Sequence, residues 1–389
     1  MLGFVTIADS EYNETLELID RAATGLSDQI TRKYYRFGKT KELIAGNNGA
    51  IEARSPNFYD LYNKNLFETN LKTVIPNPNQ ANQLSIIVTD LYTDPQQSQI
   101  NQILDPIKNN FSPNSNYAVG ILAFRSQFDG TIFDIGLGDQ EQNYTTNSKD
   151  PKTFRPFYIL VLGDYSLVHK FFNFFQQNSS IKPQESVIFS PHPLEKPLFL
   201  NINDQDKSSL AKGVQRNVNI NNGTVQVTTK TKNRQLVERI VLTKDYQNEK
   251  MQWEIPYAIL PDTLPLEFEF KTELKKLEKD GKYSSENLPN IQVNQEKSDG
   301  TKLVISPDFS TLTEPGVYQL IINVKVKDFQ IPKWWQNWSF EQVQDFKPNK
   351  TYKLNTLLSD LKNITVSKMQ TQNKNSGSIG QLVYIIQKD

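Results

Sequence analysis

Three oxygen-bearing residues near the start of the chain, Asp9, Thr69 and Asp90, stand where they could hold a hard cation. Asp90 closes the run Leu84-Ser-Ile-Ile-Val-Thr-Asp-Leu91. Such an apolar run, ending abruptly in Thr89-Asp90, predicts a strand buried on both faces of a parallel sheet. Its carboxylate would emerge at the C-terminal edge, where open α/β sheets gather their ligands. Thr69 lies in Phe67-Glu-Thr-Asn-Leu-Lys-Thr-Val74, after a helical pattern and before that strand. Asp9 opens Asp9-Ser-Glu-Tyr-Asn13, in which Asp9, Glu11 and Asn13 alternate just ahead of a helix. Mg²⁺ or Ca²⁺ takes oxygen ligands of these kinds and often keeps waters. Each residue also has a plainer reading. Asp90 could cap the next turn, Thr69 could be an N-cap or loop residue, and Asp9 could be helix-start chemistry.

Thr in a loop, then a strand, then Thr-Asp at its end resembles the later part of a von Willebrand factor A (vWA) domain. The residues carrying the match are Glu68-Thr-Asn-Leu71 and Thr89-Asp90, and the resemblance spans roughly residues 1–178. It implies a metal-ion-dependent adhesion site with Thr69 as loop hydroxyl and Asp90 as strand-end carboxylate. Mg²⁺ or Ca²⁺ would be the cofactor, with one coordination position left for a partner's carboxylate. The family's first element, an Asp-x-Ser-x-Ser turn, is absent. Either that turn precedes Met1, or Phe4–Ala8 is the first strand and Asp9–Asn13 a degenerate form of it. The first option is preferred, because four or five residues make a short central strand.

The elements that would position these groups alternate between strand and helix over residues 1–180, which predicts a doubly wound α/β sheet. Leu16, Ile19, Ala23 and Leu26 recur at helical spacing. Tyr34–Phe37 reads as a strand, and Phe58, Leu61, Tyr62 and Leu66 as a helix. Asp94-Pro95 is a helix start, and Pro106 is expected to kink or shorten the helix that follows. Tyr117–Phe124 and Pro156–Leu162 are buried strands, and 125–155 holds an extra hairpin arm around Gly130–Ile135. From about residue 183 to 330 the pattern becomes that of a β-sandwich. Asn222-Gly223 signals a hairpin between 214–220 and 224–228. Glu314-Pro-Gly-Val-Tyr318 resembles the turn and buried Tyr near the end of immunoglobulin-like bacterial modules. The tail, 331–389, combines a Trp-rich segment, a helix at Leu354–Leu361 and a final strand at Gln381–Ile386. The tryptophans of 334–338 read as an interdomain core, with a carbohydrate or membrane platform as the alternative.

Composition excludes several classes of function. Forty-three basic residues balance 43 acidic ones, so nothing steers the chain toward nucleic acid. Absence of cysteine rules out disulfides, thiol catalysis and Cys-ligated zinc. Two isolated histidines, His169 and His192, make no His-based metal cluster. No apolar stretch is long enough for a transmembrane segment. No phosphate loop, dinucleotide fingerprint or nucleophile elbow occurs. The expected function is a vWA-like protein-binding or assembly module with a protein partner. The alternative is a metal-dependent hydrolase of phosphoester-like substrates at the same edge, with Asp9, Asp129 or Asp164 converging on Asp90. The β-sandwich leans toward an envelope or extracellular setting, with any targeting signal upstream of Met1.

Overall fold

The computed structural model describes the 389-residue chain outside the ranges 27–30, 60–62, 68–69, 77–82, 92–98, 113–114, 134, 136–139, 178–180, 195–197, 200–213, 218–224, 229–233, 244–245, 247–251, 258, 286–287, 299–301 and 373–377. It is a strand-rich mixture of helices and sheets in two compact units, both discontinuous in sequence. Unit 1 comprises Met1–Pro193, Pro261–Leu264 and Ile331–Lys368; unit 2 comprises Leu194–Leu260, Pro265–Gln330 and Met369–Asp389.

Unit 1 begins with a short helix, α1 (Leu2–Val5), where the residue pattern predicts a strand at Phe4–Ala8. Helix α2 (Glu11–Gly25) follows, with Ser10 as its N-cap. Asn13 N–H donates to Ser10 Oγ at 3.3 Å, and Glu11 and Glu14 place negative charge in the first turn. Tyr12, Leu16, Leu18 and Ala22 form its buried side. Strands β1 (Tyr34–Phe37) and β2 (Lys41–Ile44) make a hairpin, followed by α3 (Gly49–Glu52) and α4 (Lys64–Phe67). The single helix expected across Phe58–Leu66 is replaced by a 3₁₀ turn at Pro56–Phe58 and by α4, with 60–62 outside the described residues. Strand β3 (Ser85–Thr89) leads to α5 (Gln99–Asn110), which runs on past Pro106; Asp94 lies outside the described residues.

The centre of unit 1 is a four-stranded sheet, ordered β3, β7 (Arg155–Asp164), β4 (Tyr117–Ser126), β8 (Glu185–Phe189). All three pairings are antiparallel, with Ile87 opposite Leu160, Phe124 opposite Phe157 and Ile121 opposite Val187. The expected parallel, doubly wound arrangement is therefore not the one this sheet has. The apolar runs of β4 and β7 arise from burial on both faces, which does not depend on strand direction; β3, expected to be buried on both faces, is instead a half-buried edge strand, covered by a neighbour on one side only. One face receives α2 and α6 (Tyr165–Gln177): Phe124 stacks on Phe157 with centroids 5.3 Å apart, and Phe175 meets Phe124 edge-on at 5.8 Å. Gly120 faces the same helix so closely that a Cβ there would come within 2.5 Å of the Phe172 ring. The inserted arm exists as β5 (Asp129–Ile132) paired with β6 (Gln142–Thr145).

Unit 2 contains β9 (Leu198–Phe199), β10 (Val214–Asn217), β11 (Val225–Thr228), β12 (Arg234–Leu242), β13 (Trp253–Pro256), β14 (Leu266–Leu277), β15 (Tyr283–Ser284), β16 (Gln292–Ser298), β17 (Lys302–Asp308) and β18 (Gly316–Phe329). Both β10 and β11 pair with β12, so the hairpin expected around Asn222-Gly223 is not formed between them in the described pairings. The chain then returns to unit 1 as α7 (Trp334–Asn337), β19 (Ser339–Phe340), β20 (Thr351–Tyr352) and most of α8 (Leu354–Gln372). Strand β21 (Ser378–Lys388) closes unit 2, antiparallel to β18 and parallel to β12. The main sheet of unit 2 is thus mixed, and a second sheet of β13, β17 and β16 faces β14 through Phe268 N–H on Gln295 Oε1 and Thr272 Oγ1 on Ile291 O. Leu266, Phe268, Leu320, Ile322, Leu382 and Ile386 are buried in it. Tyr318 buries its ring and donates its hydroxyl to Glu314 O at 2.9 Å.

Candidate functional site

Asp90 emerges from the end of β3, as the apolar run requires, with Leu91 turning the chain by a left-handed backbone (φ 51°). Thr89 Oγ1 accepts from Leu91 N–H at 3.1 Å and fixes that turn. Among the described residues a guanidinium pairs with the Asp90 carboxylate. Arg155, at the start of the adjacent β7, reaches Asp90 Oδ2 with Nη2 at 3.2 Å. The Arg155 side chain is 4% exposed and that of Asp90 24%. Arg155 Nη1 donates to Pro348 O at 3.1 Å, and its guanidinium lies 5.3 Å from the centre of the Phe128 ring. This pair is the polar centre of the edge.

Aromatic hydroxyls surround it. Tyr158 is buried on β7 with its hydroxyl 3.0 Å from Thr351 Oγ1, and Thr351 in turn approaches Asp90 O at 3.4 Å. Tyr12 and Tyr59 share a hydrogen bond of 2.9 Å, and Tyr59 donates onward to Ala53 O. Burial pushes the Tyr59 phenol up to about 12 and raises those of Tyr12 and Tyr158 as well. These hydroxyls are therefore neutral donors and acceptors near neutral pH, not bases.

Of the other expected ligands, only Asp9, Asp129 and Asp164 are among the described residues. Thr69 lies outside the described residues. Asp9 is exposed, and the neighbouring Asn13 turns inward to give its amide to Ile7 O and Ala8 O at 3.0 and 3.2 Å. Asp129 accepts from Thr145 Oγ1 at 2.7 Å on the exposed β5–β6 arm. Asp164 caps the first turn of α6 by accepting from Ser166 N–H at 2.9 Å. Among the described residues no group of three His, Cys, Asp or Glu side chains could hold a metal ion. The like charge of Arg155 beside Asp90 opposes the approach of a divalent cation.

A second feature adjoins this edge and carried no signal in the sequence. Arg125, on β4, lays its guanidinium over the Trp338 ring at 4.3 Å. Its Nη1 donates to Phe154 O at 3.1 Å and Asn349 O at 2.8 Å. The turn Lys347-Pro-Asn-Lys350 closes on itself through Lys350 N–H to Lys347 O at 3.0 Å. Two of its carbonyls, those of Pro348 and Asn349, are thus held by Arg155 and Arg125. Trp338 is buried within unit 1: it is 6% exposed, and its ring packs 6.2 Å from that of Tyr158. What residue types alone could not reveal is that 331–352 returns to cover this face of the sheet.

Elsewhere in unit 1, a cleft of about 490 Å³ is lined by Lys72, Ile75, Pro76, Asp105, Pro106, Lys108 and Asn109. It holds a single carboxylate and two lysines, a set with neither a nucleophile nor a proton acceptor paired to one. His169 is bonded through Nε2 to Asn173 on its own helix at 2.9 Å, a structural role. No helix among the described residues is long and apolar enough to cross a membrane. No protein-family model, curated protein or solved structure matches the chain.

Proposed function

We propose that the chain is a protein-binding or assembly module, and that the sheet edge at Asp90 is an ion-paired structural centre in place of a metal site. The carrying observation is the Asp90–Arg155 pair at 3.2 Å, with Arg155 almost fully buried. A carboxylate so matched has given its charge to the fold. The vWA-like reading keeps one element, the carboxylate at a strand end, and loses its need for Mg²⁺ or Ca²⁺.

The hydrolase alternative requires other carboxylates to converge on Asp90 and orient a water. Asp129 and Asp164 are engaged in local hydrogen bonds, and Asp9 is exposed. That favours binding over turnover. Two assays test the reading. Hydrolysis of bis(p-nitrophenyl) phosphate is measured with Mg²⁺, Mn²⁺ and Ca²⁺, and cross-linking mass spectrometry is run on cells expressing the chain. The expected result is no metal-dependent turnover and a reproducible, stoichiometric cross-linked partner. Turnover abolished by Asp90→Asn would overturn it.

A further inference from the structure

Arg125 is a guanidinium mounted for use. Stacking on Trp338 fixes its plane, and the two bonds from Nη1 fix its rotation. Those bonds use two of its five N–H groups. Nε and Nη2 have no hydrogen-bond partner among the described residues, and neither atom is sealed from solvent. The open side of the fork is therefore pre-organised for two oxygens of one planar group.

More positive charge stands beside it. Lys347 and Lys350 occupy the two ends of the turn that Arg125 and Arg155 hold by its carbonyls. Lys347 is exposed, and Lys350 is half-buried with Nζ only loosely placed, 3.4 Å from Ser339 O. Within the turn, Lys350 N–H is committed to Lys347 O, and Pro348 has no N–H to offer. Three cations on separate supports suit several carboxylates spread along a chain.

We propose that Arg125, Lys347 and Lys350 form a docking site for an acidic segment of a partner protein, with one carboxylate seated on the Nε–Nη2 edge of Arg125. The site rests on the binding-module reading and names how the partner is held: the guanidinium does for a partner's carboxylate what a bridging metal would do. Lys350 adds support, since burial and then the like charges of Lys347 and Arg125 hold its ammonium below the ordinary lysine value. An arriving anion relieves that repulsion.

The test is calorimetric titration of the full chain with an acetylated, amidated glutamate-rich peptide, its glutamine counterpart and inorganic phosphate. The acidic peptide is expected to bind saturably and to weaken with added salt, while the glutamine peptide and phosphate do not bind. Lys347→Glu with Lys350→Glu should lower affinity by about tenfold or more with the melting temperature little changed, because Lys347 is exposed and the one bond of Lys350 Nζ, to Ser339 O, is long at 3.4 Å. Arg125→Lys should abolish the bidentate contact. Since Arg125 also holds the turn, the lysine pair keeps the test decisive if that variant misfolds. Absence of peptide binding, binding that ignores the lysine reversal, or phosphate binding without peptide binding would overturn the proposal. If the peptide fails but the cross-linked partner persists, this site falls and the module reading stands; metal-dependent turnover would remove the module reading while leaving peptide affinity intact.

Discussion

At the residue scale, the edge is governed by one asymmetry: Arg155 is sealed from water and Asp90 is only partly so. A guanidinium cannot shed its charge, so the pair depends on the carboxylate staying. Asp90→Asn should cost about 2–3 kcal/mol, below the usual figure for a fully buried pair because the carboxylate is partly solvated. Urea unfolding measures it. Asp90→Leu combined with Arg155→Met should be less damaging than either change alone, since neither member of the pair is then left facing an apolar partner. Asp90 itself was legible from the abrupt end of an apolar run. Arg155 was not, because it lies 65 positions away and reaches Asp90 only through the β3–β7 register, which no local pattern encodes.

At the element scale, β4 and β7 show what an apolar run reports. Each is buried along almost its whole length, and both were expected as strands. Their direction was misread because burial on both faces, by helices on one side and Trp338 on the other, gives the same composition in parallel and antiparallel sheets. The close packing of that sheet on α6 gives a sharp expectation. Gly120→Ala would push a methyl group into Phe172 and Val168, both fully buried, and should destabilise by about 1–3 kcal/mol. Thermal unfolding checks it. In unit 2, Tyr318→Phe removes only the hydroxyl that donates to Glu314 O and should cost about 1 kcal/mol. The Phe4–Ala8 segment went to helix and turn for a traceable reason: Ser10 donates its hydroxyl back to Phe4 O at 3.0 Å while capping α2, which closes the segment on itself.

At the scale of the whole molecule, the chain crosses between two units several times, and this was the least legible property. The Trp-rich segment was readable as core, yet which core it joins depends on contacts more than a hundred residues apart, such as Tyr158 with Thr351. Bulk alkaline behaviour follows from the buried phenols. Tyr59 in the folded state is raised to about 12 from an ordinary value of 10, so its stabilising neutral form is fully present below pH 10. That contribution is lost as pH rises from 10 through 12. Ultraviolet titration should show a class of tyrosines ionising late, with unfolding favoured over the same window.

The most direct measurement of the central claim is the melting temperature of the wild-type chain and of Asp90→Asn, each with and without a large excess of Mg²⁺ or Ca²⁺. A guanidinium-paired Asp90 predicts that neither cation moves either midpoint, while the substitution lowers it in every buffer. A metal-induced rise in the wild type that disappears in Asp90→Asn would contradict the claim and restore the adhesion-site reading.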